Sequence, residues 1–354
     1  MSIQTYMRTS RCRLSIIHYI LYIVLAAFFI PSLSSCVNEE EYDDTPEGNF
    51  EALWKILDEH YCFFDYKKEV YGLDWNEVYA RYKKQVNSKL SDSQLFEILA
   101  NMAGELRDGH VNISAPFDLG RYWTWMEDYP SNVSDTLIDK YLGKSYKIIG
   151  SISYCILDDN IGYVRIPSFS SSIGSGSIDE ILEKFLLCNG IIIDIRGNTG
   201  GLVSNAETIA AHFTNEETLV GYMQHKTGTG HSDFSNMEEQ WLKPSDGLRW
   251  QKKTAVLTNR EVYSAANEFA MYMKGLDNVL LVGDKTGGGA GMPFSSELPN
   301  GWGVRFSACP MYDSEGNSTE FGIEPDVYVN LLQSDFLKGE DTIIEYARQI
   351  LIGN

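Results

Sequence analysis

Three short segments of the chain combine reactive side chains with the start of a turn or a helix. Ser264 follows a predicted strand and opens a predicted helix, whose N-terminus favours developing negative charge and presents the Ala265 N–H to an acyl oxygen. His110 follows a glycine after a helix end, and an imidazole can take the proton that a serine hydroxyl loses when it becomes a nucleophile. The plainer interpretations are an N-cap serine and a structural histidine.

The third segment is a glycine-rich loop that follows an apolar run. Residues 191–193 are all isoleucine, as in a strand buried on both faces, and Gly197, Gly200 and Gly201 come shortly after them. Glycines allow positive φ angles and leave backbone N–H groups pointing outward, which suits an anion or an oxyanion. No lysine follows the glycines, so the segment is not a phosphate loop of the Gly-Lys-Ser/Thr type.

Around these segments the apolar periodicity changes from helical to alternating. Helix-spaced apolar residues and two capping-box patterns predict a helical domain over residues 48–108. Beyond residue 150, short apolar runs alternate with amphipathic segments, which indicates crossover units, a mainly parallel sheet and an α/β fold. The predicted strands are 152–156, 161–166, 191–193, 255–257, 279–282, 302–308 and 327–329, and the predicted helices are 178–187, 203–213, 265–274 and 341–352. Residues 116–146 show little periodicity.

Residues 1–35 are typical of a bacterial lipoprotein signal peptide. Three arginines precede an apolar stretch, and Leu33-Ser-Ser-Cys36 resembles the box whose cysteine is lipidated and becomes the mature N-terminus. The plainer alternative is an uncleaved anchor helix. Residues 36–47 predict an acidic tether, and their acidic run also resembles signals that send lipoproteins to the cell surface. We therefore expect an exported lipoprotein held by its lipid in a bacterial outer membrane, on the periplasmic or the cell-surface side.

Composition and charge limit the classes of function. The chain has 354 residues, 44% hydrophobic and 22% charged, which is the balance of a globular protein. Acidic residues outnumber basic ones by 49 to 29, so no nucleic-acid partner is expected. The remaining cysteines lack metal-ligand spacing and are interpreted as buried free thiols, with one disulfide as the alternative; they are Cys62, Cys155, Cys188 and Cys309. No cofactor motif is present, and no metal is expected.

In their order and residue types these motifs resemble those of the serine peptidase family of the carboxyl-terminal processing (tail-specific) proteases and the tricorn core protease. The resemblance spans about residues 106–329 and implies an α/β catalytic domain over 109–354, a peptide or protein substrate, and an acyl-enzyme. It implies Ser264 as the nucleophile, and an oxyanion hole made by the N–H groups of Ala265 and of Gly200 or Gly201. It rests on Asp108-Gly-His110, Asp194-Ile-Arg-Gly-Asn-Thr-Gly-Gly201, Tyr263-Ser-Ala-Ala266, Val282-Gly-Asp-Lys-Thr-Gly287 and Gly322-Ile-Glu-Pro-Asp326.

The sequence departs from the processing proteases in two ways. Their lysine base lies a few residues after the Gly-x-x-Thr segment, whereas here Thr286 is followed by glycines and an alanine, and Lys285 matches a non-catalytic position. The tricorn-like branch uses a histidine of the Asp-Gly-His region, which implies His110 as the base. A supporting carboxylate near the C-terminal end is implied too, with Glu324 as the first choice and Glu320 as the alternative. The chain also lacks room for a PDZ module of normal size.

Two other functions fit parts of the sequence. A catalytically inactive peptide- or glycan-binding lipoprotein on the same scaffold could line a cleft with Trp123, Trp125, Trp241 and Trp302, although core packing explains most of these residues as well. An esterase would share the serine nucleophile, but no Gly-x-Ser-x-Gly motif surrounds it. The distance between the hydroxyl and the imidazole separates hydrolase from scaffold, because a binding protein does not need these groups to meet.

Overall fold

The computed structural model describes residues 42–353, so the predicted signal peptide, Cys36 and the first part of the predicted tether lie outside the described residues. The helices are α1 Pro46–His60, α2 Phe64–Tyr71, α3 Trp75–Lys83, α4 Asp92–Gly104, α5 Asp135–Leu142, α6 Ser175–Phe185, α7 Val203–Ala210, α8 Ala265–Lys274, α9 Gln333–Phe336 and α10 Thr342–Ile352. A short 3₁₀ helix, Ala211–Phe213, follows α7.

The strands alternate with these helices along the second half of the chain. They are β1 Asn112–Ala115, β2 Asp118–Arg121, β3 Lys147–Ile149, β4 Ile152–Ile156, β5 Gly162–Arg165, β6 Ile191–Asp194, β7 Thr218–Met223, β8 Glu238–Leu242, β9 Thr254–Thr258, β10 Val279–Gly283, β11 Gly291–Glu297, β12 Gly303–Tyr312 and β13 Val327–Tyr328. Every strand predicted beyond residue 150 is present, with its ends shifted by a few residues at most.

Local sequence explains where the N-terminal helices begin. The Asp74 carboxylate caps α3, and Ser91 and Gln94 form a reciprocal capping box at α4, as the two patterns predict. Helix α1 begins at Pro46, inside the segment predicted to be a tether, which therefore ends earlier than expected. The periodicity does not predict α2, because eight residues give too few turns for a helical stripe to stand out.

The main sheet has seven strands in the order β13-β10-β9-β6-β5-β4-β3. Strands β5, β6, β9, β10 and β13 pair in parallel, whereas β3 and β4 extend the sheet as an antiparallel edge. Helix α6 connects β5 to β6, and α8 connects β9 to β10, so both are crossover helices between parallel strands. The predicted fold class, an α/β domain after an N-terminal helical region, is confirmed.

Alternate residues of the central strands face two different apolar layers. In β6, Ile191 and Ile193 pack with α6, α7 and α8, whereas Ile192 packs with α5 and α10. In β9, Val256 packs in the same layer as Ile191 and Ile193, and Leu257 packs in the same layer as Ile192. Burial on both faces is the reason that these strands are continuous apolar runs, and it holds their carboxyl ends in place.

A second sheet, which the sequence analysis does not predict, is antiparallel. Its order is β2-β1-β12-β7-β8, and β11 pairs with β12 as well. The long strand β12 pairs with β1 at its start, with β11 along most of its length and with β7 at its end. Because β1 starts two residues after His110, its pairing with β12 determines from which side His110 approaches the main sheet.

Two further observations concern the cysteine thiols and the lengths of the helices. Within residues 42–353 the cysteines are free, as interpreted from the sequence; Cys62, Cys188 and Cys309 are buried and Cys155 is half-buried. None of the described helices is long and apolar enough to cross a bilayer.

Candidate active site

The glycine-rich loop and the loop before Ser264 leave the main sheet at the same edge. They follow β6 and β9, which are adjacent and parallel, so their carboxyl ends lie side by side. The Tyr263 N–H donates to the Asn198 carbonyl at 3.1 Å, and the Gly197 N–H donates to Oδ1 of Asn259 at 2.9 Å. These bonds tie the two loops into one unit.

A buried ion network anchors the start of the glycine-rich loop. Nη2 of Arg196 lies 2.6 Å from Oδ2 of Asp194, and its Nη1 lies 3.0 Å from Oδ2 of Asp341. Burial alone would lower the pKa of Arg196, but the two carboxylates raise it above its ordinary value, so the guanidinium stays charged. Paired buried charges with this many hydrogen bonds leave the loop little freedom to move.

Ser264 has a backbone conformation that is rare for a residue with a side chain. Its φ is 57° and its ψ is −127°. The Ser264 N–H donates to the Gly288 carbonyl at 2.9 Å, and this bond helps to hold the conformation. Although Ser264 occupies the N-cap position of α8, its side chain makes no capping hydrogen bond, so the plainer N-cap interpretation does not account for the hydroxyl.

His110 reaches the serine from the side of the antiparallel sheet. Its Nε2 lies 2.9 Å from Oγ of Ser264, which is hydrogen-bond distance. Its ring packs against Tyr263 with the centroids 5.2 Å apart, and Nδ2 of Asn112 donates to its carbonyl at 2.8 Å. The structure therefore brings together two side chains that are 154 residues apart in the chain.

The surroundings of His110 favour its neutral form. Burial lowers the pKa of His110 to about 4; the Asp108 carboxylate opposes this effect, whereas Arg305 and Lys67 add to it. At neutral pH the ring is therefore uncharged, and Nε2 can accept the serine proton when Nδ1 carries the other one. Nδ1 is buried and has no hydrogen-bond partner among residues 42–353.

Asp108 supplies a negative charge beside His110. It is buried and accepts hydrogen bonds from the His110 N–H at 2.7 Å, from Oγ of Ser307 at 2.8 Å and from the Tyr263 hydroxyl at 3.3 Å. Burial alone would raise its pKa, but Lys67, His110 and the hydrogen bonds from the His110 backbone N–H and Ser307 hold it below its ordinary value. The carboxylate therefore stays ionised, and its charge favours the imidazolium that proton transfer would create.

Backbone N–H groups next to Ser264 can hold an oxyanion. Ala265 is the first residue of α8, so its N–H has no acceptor within the helix. A Cβ on Gly200 would lie 2.8 Å from Cβ of Ser264, so the glycine-rich loop passes directly over the serine. The Gly200 N–H donates a hydrogen bond to Oδ1 of Asn198. Gly201 forms an isolated β-bridge with the chain before α6, and this bridge does not use the Gly201 N–H. Gly201 is therefore the freer of the two predicted donors.

The carboxylate expected to support the site is not where the first choice placed it. Glu324 is about half exposed, and its carboxylate pairs with Lys285 and Tyr328 rather than with the histidine, so this prediction is corrected. The alternative, Glu320, is buried, and its Oε1 lies 2.7 Å from Nζ of Lys67. Burial raises the pKa of Glu320 to about 7, although Lys67 acts against the rise.

Lys67 is the residue near the site that the sequence analysis misses. It comes from α2 and is fully buried, and its ammonium group also donates to the Arg107 carbonyl at 3.2 Å. Nothing in the local sequence separates it from Lys68, which is exposed. Its Nζ also lies 4.5 Å from the centre of the Phe321 ring, a tertiary contact that no local signal in the sequence could reveal.

The tryptophans considered as a cleft lining do not form one group. Trp125 stacks on Tyr263 with the ring centroids 4.3 Å apart, and Trp123 meets Trp125 edge-on at 4.4 Å. Trp302 is buried, and Trp241 is exposed on β8. Only the first pair thus borders the residue that precedes the serine, and Trp302 belongs to the core, as expected for most of the four.

One further acid near the site has no evident partner. Glu268 lies one helical turn after Ser264, is buried, and neither of its carboxylate oxygens has a hydrogen-bond partner among the described residues. Burial raises its pKa to about 8. The described part of the chain contains no group of three or more His, Cys, Asp or Glu side chains that could hold a metal ion.

Comparison with known proteins places this chain in a family. Residues 160–329 match Peptidase family S41, and residues 42–104 match the Tricorn protease C1 domain. A crystal structure from Parabacteroides merdae, provisionally described as that of a peptidase, is 48% identical, has a TM-score of 0.83, and covers 88% of this chain and 98% of its own. The match to the Tricorn protease C1 domain extends the similarity to the N-terminal helices, which precede the segment in which the motifs resemble the family.

Curated relatives match over a shorter part of their length. The carboxy-terminal processing protease CtpA of Bacillus subtilis is 30% identical over 177 residues, which is 49% of this chain and 36% of the relative. The tricorn protease of Thermoplasma acidophilum is 27% identical over 198 residues, which is 54% of this chain and 17% of the relative. The chain thus spans well under half the length of these two proteins.

Proposed function

Because this chain belongs to peptidase family S41, we propose that it is a serine-type peptidase that hydrolyses peptide bonds through an acyl-enzyme. The observation that carries the proposal is the 2.9 Å distance between Nε2 of His110 and Oγ of Ser264, at the N-terminus of α8. A hydroxyl in this position has both a base and a site for negative charge within reach. The substrate class, a peptide or protein, follows from the family.

In the first half of the reaction, His110 takes the proton of Ser264 while Oγ attacks the carbonyl carbon of the scissile peptide bond. The carbonyl oxygen becomes an oxyanion, held by the N–H groups of Ala265 and of Gly201 or Gly200. His110 then gives its proton to the leaving amine, and the C–N bond breaks. The result is an ester between Ser264 and the acyl part of the substrate.

In the second half, water replaces the amine. His110 takes a proton from the water, whose oxygen attacks the ester carbonyl, and the same N–H groups hold the second oxyanion. The proton returns to Oγ as the ester breaks, so the free serine is restored. Asp108 accepts a hydrogen bond from the backbone N–H of His110 and not from its ring. The anionic carboxylate therefore stabilises the imidazolium in both halves of the reaction through its charge.

Site-directed labelling tests this proposal. A fluorophosphonate probe should modify Ser264, and Ser264→Ala should abolish both the modification and the cleavage of a peptide library. His110→Ala should lower the labelling rate by at least about 10²-fold, because a positioned general base contributes about 10²–10⁴-fold. His225→Ala serves as the matched control, since that imidazole pairs with Glu238 on the surface. Full peptidase activity in the Ser264→Ala variant would contradict the proposal.

The inactive binding scaffold is the alternative outcome of this experiment. It predicts that peptide or glycan binding persists in Ser264→Ala and that the wild-type protein is neither labelled nor active. The orientation of the His110 ring, which points to Ser264 rather than away from it, favours the hydrolase over the scaffold.

We further propose that the protein is exported and anchored by lipid at Cys36, on the periplasmic or cell-surface side of a bacterial outer membrane. The support is the sequence pattern of residues 1–36, which lies outside the described residues. Metabolic labelling with an alkyne fatty acid should modify the wild-type protein and not Cys36→Ser. Labelling of both proteins, or of neither, would contradict lipidation at this residue.

A further inference from the structure

Lys67 is a buried cation between the two halves of the candidate site. Its side chain is completely buried, and its ammonium group lies 2.7 Å from Oε1 of Glu320 and 3.2 Å from the Arg107 carbonyl. Lysine is almost never fully buried unless its charge is paired. The pairing alone explains why Lys67 is tolerated, but not why its two partners are these residues.

The first partner belongs to the turn that carries the base. Arg107 has a φ of 47°, a left-handed conformation that is uncommon for a residue with a side chain, and it directly precedes Asp108. Its carbonyl accepts the Lys67 hydrogen bond at the point where the chain leaves α4 for His110. A shift of this carbonyl would change the position of the imidazole three residues later.

The second partner belongs to the loop that supports the nucleophile. Oε2 of Glu320 accepts a hydrogen bond from the Ala290 N–H at 3.1 Å, and the Glu320 carbonyl accepts one from the Gly289 N–H at 3.0 Å. The preceding carbonyl, that of Gly288, accepts the Ser264 N–H. Lys67 is therefore linked to the serine through Glu320 and this loop.

We propose that Lys67 is a positioning residue that holds the His110 turn and the 288–290 loop at a constant separation, and so keeps Nε2 within reach of Oγ of Ser264. The inference rests on the proposed function, because the distance matters only if the pair is catalytic. It also gives the N-terminal helices a role in the site, since α2 supplies the cation that joins the two loops.

The charge of Lys67 acts on the same groups as its hydrogen bonds. It lowers the pKa values of His110, Asp108 and Glu320, and Arg305 adds to its effect on His110, whereas Asp108 opposes it there. Removing the cation should therefore raise the pKa of the base. An ion pair remote from the imidazole would not move its titration, because Coulomb interactions weaken with distance.

A pair of apolar replacements separates positioning from stability. Exchanging both members of a buried ion pair for apolar residues of similar volume is often neutral or stabilising, whereas removing one member leaves an uncompensated charge. Lys67→Met/Glu320→Leu should therefore fold with nearly wild-type stability, while Lys67→Met alone is destabilised. In the folded double variant we expect labelling of Ser264 by the fluorophosphonate probe to be about 10²-fold slower, since a misplacement of 1 Å costs about that much.

The matched control is the ion pair of Arg348 and Asp159, in which Nε lies 2.7 Å from Oδ2. It joins α10 to the turn between β4 and β5, and Arg348→Met/Asp159→Leu removes the same two charges with no link to either catalytic loop. We expect this variant to label at the wild-type rate. If it slows as much as the Lys67 and Glu320 double variant, slow labelling reflects general loosening, and the proposal is wrong.

A second readout does not depend on activity. With ¹³Cε1-labelled histidine in the full chain, and His110→Asn to assign the signal, the titration of His110 can be followed by nuclear magnetic resonance. We expect its midpoint to move to higher pH in the double variant and not in the control. An unmoved midpoint together with wild-type labelling would reduce Lys67 to a structural residue. A wild-type protein that is never labelled, but whose midpoint moves, would disprove the proposed function while retaining the coupling of Lys67 to His110.

Discussion

Lowering the pH from about 7.5 to about 5.5 should leave His110 neutral, so its contribution as a base to the reactivity of Ser264 should be almost unchanged. A histidine with the ordinary pKa of 6.5 would be about one-tenth neutral at pH 5.5, and the rate would fall about tenfold with the fraction of free base. Burial of His110 lowers its pKa to about 4, so more than about nine-tenths of the rings remain neutral at pH 5.5. The structure therefore predicts that the titration of His110 contributes a loss of less than about twofold.

The assay is the pseudo-first-order rate of fluorophosphonate labelling between about pH 4 and pH 8, corrected for hydrolysis of the free probe. Glu320 needs its own control, because burial raises its pKa to about 7 and its ionisation falls inside this window. Glu320→Gln removes that titration, so a limb near pH 7 that disappears in this variant belongs to Glu320. Far-UV circular dichroism at each pH verifies that the protein stays folded.

A tenfold fall between pH 7.5 and pH 5.5 in both the wild-type protein and Glu320→Gln would refute the reasoning. It would mean that the imidazole is solvated enough to titrate normally, although only 4% of His110 is exposed. It would leave the distance to Ser264 untouched, and it would show that burial does not set the protonation of the base.

Two further predictions concern the loop and the helix around Ser264. Gly200→Ala should slow labelling by about 10²–10³-fold, because the glycine has a φ of 101° and a Cβ would lie 2.7 Å from the Tyr263 carbonyl oxygen, next to the oxyanion donors. Gly316→Ala, at a φ of 85° with open space around it, should keep the wild-type rate. In the wild-type protein the free energy of unfolding should fall by about 3 kcal/mol between pH 4.5 and 7, because the folded pKa of Glu268, about 8, lies above the ordinary 4.5 and the folded state keeps its proton over that range. Glu268→Met should remove this fall. Urea unfolding of variant and wild type over this range measures the difference, and equal slopes against pH would contradict it.

The position of Ser264 shows how much local sequence can establish. A buried strand, a short loop and a helix are each recorded in a few consecutive residues, because hydrophobic periodicity reflects local backbone geometry. The same holds for the glycine-rich loop after β6, where positive φ angles require glycine. The nucleophile and the donors around it were therefore predictable as a set once their motifs resembled those of a family.

The supporting carboxylate shows where this reasoning stops. Glu324 and Glu320 are four residues apart in a segment without clear periodicity, and the sequence motif favours the first. The structure buries Glu320 against Lys67 and leaves Glu324 half exposed beside Lys285. Burial depends on which distant segment covers a residue, and that information is not present in the residue's own neighbourhood.

The sequence by itself determined the order of the parallel strands and their crossover helices, the strand–loop–helix units that present Ser264 and the glycines, and the family to which the motifs point. Only the tertiary structure decided that His110 meets Ser264, that an antiparallel sheet carries it there, and that a lysine from α2 lies between the two catalytic loops. The physical reason is the range of the interactions involved. Backbone preferences and periodic burial act over a few residues, whereas the contacts that assemble the site join segments that are 154 and 253 residues apart.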